Sequence, residues 1–252
     1  MYVLFIAGAF ALSVLLSLLL LPDKPAYFFG PFFAIAAFIP TVMLLSRKIG
    51  EKIRPFFDAA QQQAKAGNLP AAIESLEKAL AYKNWQLLLE RQVNSEIGML
   101  HYAQGNEKQA IEFLRRGYPK VSTGHLVLGA ALYRDGGLEK AREALETGIR
   151  YNKKSPVLYN VLAWLLSKDG KRDEAMAVLA RGLKADSADE GTIDNLKRLQ
   201  NDKKMNMKPF GDLWFMLKFE TPRGIAPPHG MAPPPVRKGF RQPPKPSKNA
   251  RR

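Results

Sequence analysis

Side chains able to do acid–base, nucleophilic or metal chemistry fall into no recognisable site spacing along this 252-residue chain. The three histidines, His101, His125 and His229, fall at no metal-ligand spacing. Cysteine is absent, so neither a disulfide nor a thiolate site can form. No glycine-rich loop ending in Lys-Ser/Thr is present to cradle phosphate, and no G-x-S-x-G elbow to expose a serine nucleophile. Acids stand at helical spacing from bases, as Glu74 does from Lys78, which is the pattern of a solvated helix surface. The residues therefore nominate no catalytic, cofactor-binding or metal site. The work expected of this chain is binding, and the elements that would position a binding surface come next.

The apolar residues are unevenly spread. Tyr2 to Leu21 is uncharged and almost wholly apolar, and a second uncharged run extends from Ala26 to Ser46. A helix of about 20 residues rises about 30 Å, enough to cross a hydrocarbon core. Between the runs, Pro22-Asp23-Lys24-Pro25 breaks the helix, and Pro40 is expected to kink the second one. The first run lacks the basic leader and small-x-small cleavage site of a signal peptide, so it reads as a retained span. Ala9, Ser13 and Ser17 recur at four-residue spacing, as do Gly30 and Ala34. Either Ser17 meets Gly30 and Ser13 meets Ala34 in a close antiparallel crossing, or these small residues face lipid.

Arg47, Lys48, Lys52 and Arg54 leave the second run together, which by the positive-inside rule makes everything after residue 46, and the N-terminus with it, cytoplasmic. These four bases are candidates for lipid or anion contact. The expected organisation is a two-span hairpin over 1–50, a helical domain over 51–203, an apolar capping or interfacial helix over 204–220, and a disordered Pro-rich basic tail over 221–252. The expected location is an integral membrane protein of a bacterial inner membrane.

The middle of the chain repeats. Gly67, Gly105, Gly136 and Gly170 each follow one helical stretch and precede another, at separations of 38, 31 and 34 residues. Each glycine is expected to take the left-handed conformation that ends a helix. After each comes an alanine (Ala72, Ala110, Ala141, Ala175), then a leucine four residues on, then a small residue. Such a pair cannot bury its face alone, so neighbours must stack. This pattern resembles the tetratricopeptide repeat over about residues 53–187. The resemblance implies an α-solenoid of about four helix pairs with a C-terminal capping helix; with the transmembrane helical hairpin that the two apolar runs predict ahead of it, the expected fold is all-α. In that register the small residue of each first helix is Ala60, Gly98, Gly129 or Ala163. The aromatic usual three positions later is replaced by Gln63, His101, Leu132 and Leu166. Ser187-Ala188-Asp189-Glu190 reads as a capping box opening a final solvating helix, with Ile193, Leu196 and Leu199 on its inner stripe.

The resemblance further implies that the first helix of each pair lines a concave groove. Its register puts Gln92, Ser95, Met99 and Tyr102 there, then Leu126, Ala130, Tyr133 and Arg134, then Val157, Asn160, Trp164 and Lys168. Met99, Tyr102, Tyr133, Arg134, Asn160, Trp164 and Lys168 are the candidate partner-binding residues, suited to an extended peptide or a helix. The same aromatics could instead be packing residues. A carboxylate clamp of the kind that holds chaperone tails would need polar residues where Leu126 and Val157 stand.

Met205 to Glu220 carries too much apolar surface for water. It either packs on the last repeats or lies at a membrane interface, with Lys203, Lys204, Lys208 and Lys218 on lipid phosphate. The formal net charge is +15, yet the tail after Glu220 holds eight bases and no acid. Within it Arg237, Lys238 and Arg241 are candidates for anionic lipid, and its proline runs favour a polyproline helix. Nucleic acid is the lesser alternative for a tail beside a membrane. The whole reads as a membrane-anchored scaffold that recruits a protein partner without cofactors. The alternatives are a structural subunit of a transport or secretion complex, and a nucleic-acid or ribosome tether acting through the tail. Bacterial envelope-assembly proteins that join an anchor to cytoplasmic repeats are similar.

Overall fold

The computed structural model describes residues 1–20 and 25–220. The Pro22–Pro25 break, apart from Pro25 itself, and the basic tail with Arg237, Lys238 and Arg241 lie outside the described residues. Every regular element among the described residues is helical. Helix α1 (Tyr2–Leu19) runs antiparallel to α2 (Pro25–Lys65), and α3 (Leu69–Ala79) then folds back on the far end of α2. Three further helix pairs follow: α4 (Leu89–Gln104) with α5 (Glu107–Arg115), α6 (Ser122–Gly136) with α7 (Leu138–Tyr151), and α8 (Pro156–Lys168) with α9 (Arg172–Ala185). Helix α10 (Glu190–Gln200) closes the stack, and the chain turns back through α11 (Gly211–Phe215).

Helix α2 serves two structures at once. Its first half is apolar and outward-facing, and its second half is the first helix of the first repeat. It passes Pro31, Pro40 and Pro55 as one continuous helix, and residue 50 lies within it. Phe29–Lys65 is long and apolar enough to cross a membrane, with a mean hydropathy of 1.9 over its most apolar window, of which only 6% is buried. Tyr2–Leu18 is apolar and shorter. The two helices meet through Val3, Ala7 and Gly30, where Leu15 fills the place a Gly30 side chain would need. Ser13 and Ser17 are exposed and bond the carbonyls of Phe10 and Val14, so of the two readings of the small residues these serines take the outward one.

Close helix crossings hold each repeat together. A Cβ on Gly98 would lie 2.6 Å from Leu114 Cγ, and one on Gly129 would lie 2.7 Å from Leu145 Cγ. The leucine of each second helix thus seats directly on the glycine of the first, which is why a small residue recurs there. Two expected details differ. In the third repeat the residue with positive φ is Gly137 (φ 85, ψ −169), while Gly136 remains helical. The final helix is capped by Asp189, whose Oδ2 accepts from the Thr192 amide at 2.7 Å, and Ser187 is exposed. Asp189 wins because it is adjacent to the first helical residue, where a carboxylate reaches the free amides of the first turn.

Candidate peptide-binding groove

The concave face of the last three repeats is filled by the chain's own residues 205–220. Met207, Trp214 and Leu217 are fully buried or nearly so, with Trp214 0% exposed, in one core with Tyr102, Leu126 and Leu162. The segment is held at three levels: by its backbone, by its aromatic rings, and by a buried amide network behind it.

At the backbone level, Tyr102 Oη donates to the Leu217 carbonyl at 2.7 Å, and Arg134 Nη2 donates to the same carbonyl. Arg134 also donates to Tyr102 Oη at 2.6 Å and pairs with Glu107 from the neighbouring helix. Lys218 Nζ donates in turn to the carbonyls of Tyr102 and Ala103 at 3.0 and 3.2 Å. Those are carbonyls of the last turn of α4, where a cation is favoured; the Tyr102 carbonyl also accepts from the Gly105 amide at 3.0 Å. Burial raises the Tyr102 phenol above its ordinary pKa, against the pull of Arg134. Burial alone would lower Arg134, but its bonds to Glu107 and Tyr102 outweigh that and raise it. Burial and then the charge of Arg134 lower Lys218. The raised Arg134 keeps its charge, which suits it to hold a carbonyl.

At the ring level, Trp164 meets Trp214 and Phe219, each with ring centroids 4.9 Å apart, and Tyr133 meets Phe219 edge-on at 6.0 Å. Arg134 sits over the Phe219 ring at 5.4 Å and Lys168 over Trp164 at 5.0 Å. Each such pair adds about 0.5–1.5 kcal/mol beyond the area it buries.

Behind the rings, Asn160 is 0% exposed. It donates to Thr192 Oγ1 and accepts from Asn195 Nδ2, and Asn195 Oδ1 accepts from the Asn206 amide at 2.6 Å. Asn160 therefore ties α8 to the capping helix, and Asn195 carries the network on to the returning segment. Met99 is half-buried against the same core. Ser95, which the repeat register put on the concave face, faces the second helix instead, with its Oγ accepting from the Tyr118 amide at 2.8 Å.

The structure thus brings Tyr102, Tyr133, Arg134, Trp164 and Lys168 onto one strip and gives Asn160 a structural partner. Of the candidate lipid contacts, Arg47 and Arg54 each pair with an acid one turn on, and Lys48 and Lys52 are exposed. Lys218 points to helix carbonyls rather than away from the fold. Leu217, Phe219 and Glu107 went unnominated by the sequence. The signal that could have found the first two was the apolar density of 205–220 set against an aromatic groove with nothing yet in it. Among the described residues no group of His, Asp and Glu is arranged to hold a metal.

Residues 57–125 and 126–190 each match the family model described as the tetratricopeptide repeat. No curated protein matches the chain. Among solved structures, MamA of Desulfovibrio magneticus RS-1 is 14% identical with a TM-score of 0.47, over 68% of this chain and 95% of that one. A second MamA crystal structure is 18% identical with a TM-score of 0.47, over 71% and 100%. A thermophilic repeat protein of Thermus thermophilus is 22% identical with a TM-score of 0.44, over 77% and 99%.

Proposed function

Because this chain belongs to the tetratricopeptide repeat family, we propose that it is a scaffold held at the cytoplasmic face of a membrane, recruiting a protein partner through its concave groove. Protein–protein interaction is the general work of such repeats. The membrane placement is supported by the outward-facing apolar half of α2 and the bases that follow it. Tethering there raises the effective concentration of whatever the groove holds, with no catalysis by the chain itself.

The observation that carries the groove reading is the double donation of Tyr102 and Arg134 to the Leu217 carbonyl, flanked by the Tyr133–Trp164 clamp on Phe219. A main-chain carbonyl and an aromatic ring are features any peptide of that composition supplies. The partner is accordingly a protein segment bearing aromatic side chains, competing with the chain's own residues 211–220, which supply the Leu217 carbonyl and the Phe219 ring.

The test is a crosslinked capture from membranes using the full chain, Tyr133→Ala/Trp164→Ala, and Phe219→Ala, each shown to be folded by circular dichroism. A protein captured by the wild type, lost from the groove variant and enriched by Phe219→Ala supports the proposal. One partner list common to all three proteins would remove the groove from partner recruitment.

A further inference from the structure

We infer that the connection Leu80–Leu88, between α3 and α4, is a second membrane contact, lying in the interfacial layer of an anionic bilayer beside the start of α1. The inference rests on the reading of α1 and α2 as spans.

This connection is the longest between α-helices of the repeats, nine residues that include a 3-10 turn over Leu80–Tyr82, where α5–α6 uses six and α7–α8 and α9–α10 use four. It accounts for the wide 38-residue spacing of the first turn glycines. The two four-residue connections, Asn152–Ser155 and Asp186–Asp189, are polar, whereas this one carries Trp85, Leu87 and Leu88. Leu87 is 57% exposed and Leu88 39%, so these leucines are not spent on the repeat core. Leu88 also holds φ at 69, the left-handed region that side chains seldom enter. No acid occurs between Glu77 and Glu90, while Lys83 is exposed within the connection.

Its position in the fold indicates which surface covers it. Asn84 accepts from the Tyr2 amide at 2.8 Å, and Trp85 meets the Tyr2 ring edge-on at 5.2 Å. Leu15 packs where a Gly30 side chain would stand, so in an antiparallel pair of equal rise Tyr2 lies level with about residue 43. Met43 and Leu44 are exposed apolar side chains, and Arg47 and Lys48 follow within a turn. The connection therefore sits at the height where apolar surface gives way to positive charge. Tryptophan, leucine and lysine at that height match the chemistry of the headgroup boundary: amphipathic ring, apolar insertion and a base for lipid phosphate.

The chain has no cysteine, so single thiols can be placed cleanly. Leu87→Cys, Met43→Cys and Tyr151→Cys, each in the otherwise full chain, are labelled with an environment-sensitive fluorophore. They are then reconstituted into phosphatidylethanolamine vesicles containing a minor share of phosphatidylglycerol. Met43 reports the span, and Tyr151, 52% exposed in the third repeat, reports water. The expected result is a blue-shifted emission at position 87, quenched by a nitroxide on the lipid and weakly by aqueous iodide, lying between the other two sites. A lipid-like label at 43 with a label at 87 as iodide-accessible as that at 151 would overturn the contact while leaving the anchor standing. A water-like label at 43 would overturn the spans and this contact together.

Discussion

Arg134 Nη2 lies 2.6 Å from Tyr102 Oη, and both groups donate to the single carbonyl of Leu217. One acceptor from a segment more than eighty residues downstream is thus shared by the first helices of two adjacent repeats. The register of those repeats and the seat of the returning segment are set by the same three groups.

Removing either donor should loosen both. Arg134→Ala leaves Glu107 and part of the Leu217 carbonyl without a partner and should cost about 1–3 kcal/mol of unfolding free energy. Tyr102→Phe should cost about 1 kcal/mol, since Arg134 still reaches the carbonyl. Because the two share an acceptor, the double variant should lose less or more than the sum of the singles. Urea titrations of the four proteins measure this; strict additivity would mean that the shared carbonyl is not what couples them.

Gly98→Ala and Gly129→Ala should destabilise, although alanine ordinarily favours a helix by about 1 kcal/mol over glycine. The added carbon would lie 2.6 and 2.7 Å from leucine side chains in the facing helix. Overpacking of this kind costs about 1–3 kcal/mol, so each net change should be a loss, visible as a lower thermal midpoint. A gain in midpoint would show that the helices separate easily there.

How much of this was written in the sequence varies with the range of the interaction. The seats of Gly98 and Gly129 recur at a fixed spacing, so they were legible as small residues in a repeat register. The placement of Tyr133 and Trp164 on the inner face was legible in the same way. That residues 205–220 pack on the last repeats was one of two open readings, and the structure takes it; their seat between these rings was not legible, because contacts such as Tyr102 to Leu217 join segments that share no periodicity. Gly136 and Gly137 were indistinguishable by type, and only the backbone shows which one turns. Asn160 matched a binding register, yet a buried amide is drawn to whatever polar groups the next helix offers, and Thr192 and Asn195 offered them.

Acid should weaken the fold partly through His125. Burial holds its pKa below the ordinary value, although the Pro119 and Ala144 carbonyls favour the charged ring. The unfolded chain therefore binds a proton below about pH 6.5 that the folded chain refuses, so stability falls as pH drops through that value. His125→Gln should flatten this part of the profile. Thermal midpoints measured from neutral to mildly acidic pH on both proteins test it, and parallel profiles would clear His125 of the effect.

Leu88→Gly should stabilise the detergent-solubilised protein by up to about 1 kcal/mol. A left-handed leucine costs roughly 1–2 kcal/mol, offset in part by the freedom glycine gains when unfolded. A lower thermal midpoint would mean that the leucine side chain contributes more to the fold than its backbone costs.

The central claim is that the groove takes aromatic peptide in exchange with the chain's own segment. The most direct measurement titrates a fluorescent peptide of residues 211–220 against the full chain carrying Phe219→Ala, with Tyr133→Ala/Trp164→Ala added as the control. Saturable binding to the first protein and its loss from the second is the predicted result. Equal binding to both, or none to the first, would contradict the claim and leave residues 205–220 as a fixed part of the core.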